Sequence, residues 1–409
     1  MEPSPYVIES ELGEITTTAH KLTGLNKKKY DSGEDFFEET ASREKFKSNR
    51  FMELALDLST DTSVRNAARR LNRIRHEKEG ISPTTYRNTI EREGQKIQKH
   101  LEEKSDKVLV DNGFNPSGEL PKDSKFESGK VLYFQGDTVE KAAKELNIKE
   151  YKLSDYELPE AVVNVSIDDV CVKRQTETRP RIEETPQPKR VNNTVIHIEN
   201  TKGKYILNAA ALLSAIKLLI GFLLQCGLTK QQIVVFTDGA REIHSAVLNM
   251  LWFANCKIIL DWYHLKKKFQ EQLSMGLRGR VIRNKFLEEL LPCLWFGNID
   301  GAISLLRNID KKKVKDPEII TKLIEYLERV KGYIPCYALR SKLGLRNSSN
   351  AGEKANDMVV SSRQKHNGMS WSNDGSVAFA TVSAVSHNNE MSHWIHDRNI
   401  AFELFDKAA

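Results

Sequence analysis

The sequence of 409 residues predicts an α/β protein in which a mixed β-sheet is flanked by helices. The first observation is the order of elements between residues 161 and 261: three strands, helix, strand, helix, strand. A meander followed by helix–strand units is typical of a mixed sheet with helices on its faces. The second observation is that predicted helices precede and follow this stretch. The sequence therefore predicts a helical N-terminal arm, a sheet domain and a mainly helical C-terminal part.

Five segments have the alternating or β-branched composition of strands. They cover residues 161–173, 194–199, 204–207, 233–237 and 256–260. The last two are short continuous apolar runs, which are typical of strands that are buried on both faces. A polar loop that contains proline, over residues 176–193, separates the first two segments.

An apolar segment, Ala209–Leu228, follows the third predicted strand. Ser214, Lys217 and Gln225 interrupt it, whereas a membrane-spanning helix needs about 20 consecutive and mainly apolar residues. We therefore expect a buried helix here and no membrane partner. A second helix is predicted from the residues after Asp238 to about Phe253.

The composition suits a soluble globular protein, with 39% hydrophobic and 29% charged residues. The net charge of +6 and the pI near 8.8 permit a polyanionic partner without requiring one. The five cysteines are widely spaced and form no Cys-x-x-Cys pair, which indicates buried thiols in a reducing compartment and argues against a zinc ribbon. The N-terminus lacks the pattern of a signal peptide, so we expect a cytoplasmic protein.

The N-terminal third divides into three predicted regions. Residues 1–49 form a polar lead-in that is partly disordered or loosely helical, and residues 105–160 form a linker with a short helix. Asp137–Glu140 resembles a capping box that opens this short helix, which continues through Leu146. Between them, residues 50–104 are predicted to be helical.

Two helices separated by a short turn are predicted within residues 50–104. Ser63 is suited to cap the first of them, and Ser82–Pro83 is a typical start for the second. Helix, short turn and helix form the helix-turn-helix pattern of DNA-binding domains. The alternative is a charged helical hairpin that binds nothing. The candidate DNA-binding side chains here are Arg69, Arg70, Arg73, Arg87 and Arg92.

Three carboxylates stand at positions suited to metal chemistry. Asp168 lies within the first predicted strand, Asp238 directly follows the fourth, and Glu353 lies in the first turn of a predicted helix. Cleavage and transfer of a phosphodiester use two divalent cations, and Mg²⁺ prefers oxygen ligands. Many α/β proteins have acids at strand ends for unrelated reasons, so the spacing alone leaves both interpretations open.

Three segments resemble blocks of known transposases. Ile233–His244 (Ile-Val-Val-Phe-Thr-Asp-Gly-Ala-Arg-Glu-Ile-His) resembles the second-aspartate block of mutator-type transposases, and Leu260–Lys268 resembles the block that follows it. Asn347–Ser372 resembles the glutamate block of a related group of bacterial insertion-sequence transposases, which was long filed as an uncharacterised protein family. The resemblance covers the chain from about Ala161 to the C-terminus and is weaker in the arm.

The resemblance implies a DDE-type transposase with a ribonuclease-H-like sheet flanked by helices. Position by position, it implies that Asp168, Asp238 and Glu353 are catalytic and hold two Mg²⁺ ions, for which Mn²⁺ can substitute. Asp169 is the alternative to Asp168, because alternation along a strand points only one of them at the site. The implied partners are double-stranded DNA, at the transposon ends and the target, and further copies of the chain. The implied location is the nucleoid in the cytoplasm.

The resemblance also divides the C-terminal part of the chain. Residues 161–265 form the first part of the core, residues 266–344 an all-helical insertion, and residues 345–409 the glutamate helix and further C-terminal helices of the core. Trp295 and Tyr326, within the insertion, are interpreted as core aromatics, and stacking on DNA bases is the alternative.

The chain departs from mutator-type relatives at Asp261-x-x-His264, where they often carry Cys-x-x-His. Asp261 either assists a metal or caps the strand, and His264 either positions DNA or has a structural hydrogen bond. Asp357, one helical turn beyond Glu353, is the second candidate for the third acid.

Basic residues near the glutamate block could neutralise DNA phosphates. The candidates are Arg346, Lys354, Arg363 and Lys365. The alternative is a solvated basic surface. The run Lys266–Lys268 is either a solvated helix end or a phosphate contact.

The leading hypothesis is therefore a DNA transposase that cleaves transposon ends and transfers the strands into target DNA. One alternative is a catalytically silent transposase remnant that still binds DNA. The other is a ribonuclease-H-like nuclease, which would cut without joining.

Overall fold

A computed structural model describes residues 3–23, 29–31, 46–78, 80–176, 188–365 and 369–406. The contacts divide the chain into two compact units. The first unit comprises Met1–Leu101, Cys171–Val191 and Met358–Ala401. The second comprises Glu102–Val170, Asn192–Asp357 and Phe402–Ala409.

The described residues form strands in two sheets. The strands are β1 (Pro3–Ser10), β2 (Gly13–Thr23), β3 (Lys29–Asp31), β4 (Phe46–Lys47), β5 (Val162–Lys173), β6 (Arg190–Glu199), β7 (Gly203–Ala209), β8 (Gln232–Thr237), β9 (Cys256–Leu260) and β10 (Phe405–Asp406). The helices before residue 300 are α1 (Asn49–Asp61), α2 (Val64–Ile74), α3 (Pro83–Asp111), α4 (Gly136–Glu145), α5 (Leu212–Gln225), α6 (Arg241–Met250), α7 (Trp262–Gly276), α8 (Arg280–Trp295) and α9 (Ile299–Arg307). Those after it are α10 (Pro317–Val330), α11 (Tyr337–Lys342), α12 (Asn350–Asn356), α13 (Ser362–Gln364), α14 (Asn373–His387) and α15 (Met391–Asp397), with a π-helical turn at Asp357–Ser361.

The second unit contains the main sheet, in the order β10-β7-β6-β5-β8-β9. β5, β8 and β9 are parallel, whereas β6 pairs antiparallel with β7. The five predicted strands are thus confirmed as a mixed sheet, with the two-residue β10 added at one edge. β6 begins at Arg190, inside the region predicted to be a loop. Residues 177–187 of that loop lie outside the described residues.

Helices cover this sheet, and burial of their apolar residues favours this packing. α5 carries the predicted apolar segment, and its middle residues are buried. Within the part of the chain that the structure describes, no helix is long and apolar enough to span a membrane. The predicted helical insertion forms α7–α10, and these helices share one apolar core with β8 and β9 through residues such as Phe236, Leu265 and Leu327.

The glutamate helix, α12, approaches the sheet closely at Gly352. A Cβ atom on Gly352 would lie 2.5 Å from Cβ of Ser166 on β5. Only glycine permits this approach without displacement, because every other residue adds a Cβ atom. The spacing between α12 and β5 therefore depends on this glycine.

The first unit contains the small sheet, in the order β3-β2-β1-β4, and helices that include α1 and α2. Strands therefore stand in the lead-in where disorder or helix was predicted, and residues 24–28 and 32–45 lie outside the described residues. The predicted caps are confirmed, since Ser63 accepts a hydrogen bond from the backbone N–H of Asn66 and Ser82 from that of Thr85. The helices of the predicted arm are present, and their DNA binding stays a prediction.

Two local predictions in the linker were wrong. α3 continues to Asp111, so the first residues of the predicted linker are helical. α4 is present, but its N-cap residue is Gln135, which makes no side-chain cap. Asp137 accepts a hydrogen bond from the backbone of Thr138 instead of closing a capping box.

The contacts group the C-terminal helices differently from the predicted boundaries. α14 and α15 both pack against α1, which places Met358–Ala401 in the first unit. Residues 345–357, including α12, stay with the sheet. The chain therefore leaves the sheet domain soon after Glu353.

We predict that Gly352→Ala destabilises the protein by about 1–3 kcal/mol, because the added methyl group overpacks the contact with Ser166. Gly332→Ala is the matched control, since a Cβ atom there has nothing within 4 Å; we expect a change within about 1 kcal/mol. Urea unfolding of both variants measures the difference. Equal stability of the two variants would show that α12 does not need glycine at this contact.

Candidate active site

Three aspartates come to the same level of the sheet because β5, β8 and β9 are parallel. Ser166 pairs with Phe236, so two residues further along Asp168 is level with Asp238. Thr237 pairs with Leu260, so Asp261 is level with Asp238 on the other side. Carboxyl ends of parallel strands form the usual ligand-binding edge of an open α/β sheet. The sequence placed Asp168 within the first strand and Asp238 and Asp261 at strand ends, and the register brings the three into one row.

A tight turn holds Asp238 at the end of β8. The backbone N–H of Ala240 donates to Oδ1 of Asp238 at 2.9 Å. Gly239 has a φ of +91°, and a Cβ atom there would lie 2.9 Å from Leu260 and 3.0 Å from the hydroxyl of Tyr326. Glycine is required for both reasons. The Asp238 side chain itself is exposed at the sheet edge.

Asp168 is half-buried and lies close enough to Asp238 for their charges to interact. Burial raises the pKa of the Asp168 carboxyl, and the like charge of Asp238 raises it further. The positive charge of His264, when protonated, acts in the opposite direction. Nδ2 of Asn356 donates to Oδ2 of Asp168 at 2.5 Å. Asp168 is thus hydrogen-bonded to Asn356 on α12, and a second acid, Asp238, lies near it.

Asp169 points away from this contact. Its side chain is exposed, and Oδ1 accepts a hydrogen bond from the hydroxyl of Thr194 on β6 at 2.5 Å. The alternation of side chains along β5 separates it from Asp168. Of the two neighbouring candidates, Asp168 is the one that faces Asp238 and α12.

Asp261 is fully buried and uses both carboxylate oxygens within the fold. Oδ1 accepts from the backbone N–H of His264 at 2.8 Å and caps α7. Oδ2 accepts from the backbone N–H of Ser349, and from its hydroxyl at 3.0 Å. Of the two roles considered for Asp261, the structure supports capping, with the difference that it caps a helix and also holds the residue that precedes α12.

His264 and Glu353 form a hydrogen bond between the starts of α7 and α12. Nε2 of His264 lies 2.9 Å from Oε1 of Glu353. His264 also lies near Asp168, since its charge affects the pKa of that carboxyl. His264 therefore contacts Glu353 and lies near Asp168, which connects two of the three predicted acids. The hydrogen-bond partner of His264 is thus Glu353, an acid of the candidate site.

Asp168 and Asp238 are the two carboxylates of the candidate site that could hold a divalent cation together. Asp168 and Asp238 repel each other, and a cation beside both would relieve that repulsion. Mg²⁺ is commonly held by one or two carboxylates and completes its shell with water or phosphate oxygens. Among the described residues, no group of three or more His, Cys, Asp and Glu side chains converges closely enough to hold a metal ion. Glu353 forms a hydrogen bond with His264, whose charge affects the pKa of Asp168.

The sequence analysis missed Asn356. It is buried, with 6% of its surface exposed, and it contacts Asp168 directly. The available signal is its position three residues after Glu353, which places both on one side of a helix. Asp357, the second candidate for the third acid, is exposed and begins the π-helical turn.

The predicted DNA contacts near the glutamate block have different surroundings. Lys354 and Lys365 are exposed. Arg346 is half-buried and forms an ion pair with Glu199, so its guanidinium already has an anionic partner. Lys354 and Lys365 therefore remain candidates for DNA contacts, whereas the guanidinium of Arg346 is paired with Glu199.

The interpretation of Arg363 as a phosphate contact was wrong. The side chain is buried, with 5% of the residue exposed, and Nε donates to the backbone carbonyl of Ser59 at 3.0 Å. Its guanidinium lies 5.3 Å from the ring centroids of Trp371 and Phe379. Burial lowers the pKa of Arg363. This arginine supports the core of the first unit and cannot reach DNA.

The five candidate arginines of the arm are exposed on α2 and α3. Arg69 and Arg73 line a cavity of about 470 Å³ together with Arg65 and Lys78. Arg87 lies 3.6 Å from Glu91. The surface of the arm is therefore basic and accessible.

The cysteine prediction holds only in part, because all five side chains are partly buried instead of fully buried. 

Part of the chain matches the model of an uncharacterised family. Residues 226–395 match the model of the Uncharacterised protein family UPF0236. This region includes β8, β9, the helical insertion, α12 and α14, and it contains Asp238, Asp261, His264 and Glu353. No curated protein matches the chain.

We predict that Asp168→Asn stabilises the metal-free protein at neutral pH. Because the folded-state pKa of Asp168 is raised above 3.8, the folded protein binds this proton more tightly than the unfolded chain. The free energy of unfolding contributed by Asp168 therefore falls as the pH rises above 3.8. Asparagine has no charge to bury, so the variant should exceed the wild type at pH 7 and lose this advantage in acid.

Urea unfolding in chelator, over a pH series, measures this difference. Asp169→Asn is the matched control, because it removes the same charge from the neighbouring, exposed position. A wild type that is more stable than Asp168→Asn at every pH would contradict the predicted cost of ionising Asp168.

Proposed function

We propose that this chain is a DDE-type DNA transposase that cleaves transposon ends and joins them to target DNA. The observation that carries the proposal is that Asp168 and Asp238 lie side by side on parallel strands, with Glu353 held at the same edge by His264. The spatial order β7-β6-β5-β8-β9 supports a ribonuclease-H-like core, since that core is a meander extended by parallel strands. The transposase-like blocks that contain Asp238 and Glu353 provide further support.

In this proposal, Asp168 and Asp238 hold divalent cations, with Glu353 as the third acid. When bound, two Mg²⁺ or Mn²⁺ ions would activate the attacking oxygen and stabilise the leaving oxygen. Asn356 orients Asp168 through its amide, and His264 orients Glu353. Asp261 positions both contacts by joining α7 to the residue before α12. The protein side chains form no covalent bond to DNA.

The proposed reaction has two displacements at phosphorus. Water attacks a phosphodiester at the transposon end, the bond to the 3′-oxygen breaks, and a 3′-hydroxyl and a 5′-phosphate result. The 3′-hydroxyl then attacks a target phosphodiester, and the target strand releases its own 3′-hydroxyl. The number of phosphodiester bonds is conserved in the second step, so joining needs no external energy source.

The exposed arginines of α2 and α3 are proposed to bind the transposon ends. A helical pair with one basic helix is suited to enter the major groove, and its arginines can contact phosphates or base edges. The active complex is proposed to contain more than one copy of the chain on double-stranded DNA, at the nucleoid. These partners follow from the resemblance and from the accessible basic surface.

The test is a strand-transfer assay with Mg²⁺ or Mn²⁺ and DNA that carries the ends flanking the gene. We expect joined products from the wild type and none from Asp238→Asn or Glu353→Gln. Glu242→Gln is the matched control, because Glu242 is an exposed acid close in sequence to Asp238 and should be dispensable.

Each other outcome identifies an alternative. Cutting without joining by the wild type would favour a nuclease, and end binding without cutting would favour a silent remnant. Loss of joining in Asp357→Asn together with full activity in Glu353→Gln would transfer the role of third acid to Asp357.

A further inference from the structure

A basic cavity lies beside the candidate active site in the second unit. It has a volume of about 330 Å³ and lies among α6, α7 and α10. Its lining contains the basic side chains Arg241, Lys268, Lys322 and Arg329, and the acid Glu325. Positive charge thus exceeds negative charge around the cavity.

Most of this positive charge has no anionic partner within the fold. Lys322 lies 2.7 Å from Glu318, but in the parts of the second unit that the structure describes no ion pair forms with Arg241, Lys268 or Arg329. All three are exposed. Lys268 and Arg329 both lie over the ring of Tyr326, at 4.5 and 5.3 Å from its centroid. Two cations on one ring repel each other, and a bound anion would offset this repulsion.

The hydroxyl of Tyr326 is a second and independent indication of a ligand. Tyr326 is buried, with 8% of its surface exposed, and it lines the cavity. Its hydroxyl has no hydrogen-bond partner among the described residues. Burial raises the pKa of this hydroxyl, so it stays protonated and able to donate. A buried donor without a partner is costly, and an acceptor that reached this hydroxyl would remove that cost.

The cavity adjoins the turn that carries Asp238. The Tyr326 hydroxyl packs where a Cβ atom of Gly239 would stand, at 3.0 Å. Asp238 lies near enough to raise the pKa of Tyr326. Burial lowers the pKa of the nearby His244, Arg329 lowers it further, and Asp238 acts in the opposite direction. Because the cavity is basic, we expect a ligand that extends from the edge of the sheet into the cavity to be a continuous polyanion.

We propose that this cavity binds a phosphate of the DNA strand that reacts at Asp168 and Asp238. This proposal rests on the proposed function and adds a substrate contact to it. Guanidinium and ammonium groups from three helices suit the several oxygens of a phosphate, and the Tyr326 hydroxyl adds a donor. Lys268, from the run whose role the sequence left open, becomes a phosphate contact. Lys266 and Lys267 do not line the cavity.

The experiment measures binding of the full chain to labelled duplex DNA in chelator, over a series of salt concentrations. Arg329→Gln and Lys268→Gln should each weaken binding by about tenfold at low salt. They should also reduce the slope of log Kd against log salt by about one. Lys312→Gln is the matched control, because this exposed lysine does not line the cavity and should keep the wild-type slope.

Tyr326→Phe separates a binding role from a structural one. Because the hydroxyl has no hydrogen-bond partner among the residues that the structure describes, its removal should leave the unfolding midpoint unchanged or higher. The same variant should bind DNA more weakly. Reduced stability with unchanged affinity would assign Tyr326 to the core alone and would contradict its role in the cavity.

The proposal is overturned if Arg329→Gln and Lys268→Gln bind with the affinity and slope of the wild type, or if Lys312→Gln loses as much as they do. A wild type that joins DNA while the cavity variants bind normally would remove this proposal and leave the transposase. A wild type that binds through the cavity but never cuts or joins would remove the proposed activity and leave the phosphate contact. Absence of any DNA binding would remove both.

Discussion

The buried carboxylate of Asp261 is the interaction on which the candidate site depends. One oxygen caps α7 and the other holds Ser349, which precedes α12. A buried carboxylate is tolerated only when its oxygens are satisfied, and removal of one partner would leave an uncompensated charge. By fixing the two helix starts at the end of β9, Asp261 sets the positions of His264 and Glu353. Parallel pairing of β5, β8 and β9 then brings Asp168 and Asp238 to the same edge.

Several contacts within the fold hold the acids of the candidate site in place, although the repulsion between two neighbouring carboxylates destabilises the folded protein. Asn356 holds Asp168, the glycine turn holds Asp238, and the close contact at Gly352 sets the distance between α12 and β5. Two acids held side by side, one of them half-buried, destabilise the folded protein unless a cation joins them. The cations Lys268 and Arg329 over the ring of Tyr326 also repel each other, and the cavity that they line adjoins the turn that carries Asp238.

The strands of the main sheet could be predicted because each has an alternating or β-branched composition, and Cys256–Leu260 has the predicted bounds. The choice between Asp168 and Asp169 needed the pairing of β5 with its neighbours, which a single strand does not determine. The roles of Asp261 and Asn356 depend on contacts between segments about 90 to 190 residues apart in the chain. The small N-terminal sheet was missed because its segments are polar, and Arg363 was assigned to the surface because charge alone does not show burial.

The central claim is that Asp168 and Asp238 form a pair that binds a divalent cation. The most direct measurement is urea unfolding of the wild type, Asp168→Asn and Asp238→Asn with increasing Mn²⁺. A cation that binds only the folded protein stabilises it by about 2.7 kcal/mol at a concentration of 100 times its Kd. The account predicts such a rise for the wild type and its loss in both variants. A wild type whose free energy of unfolding does not change with Mn²⁺, or an equal rise in all three proteins, would contradict the binding of a cation by this pair.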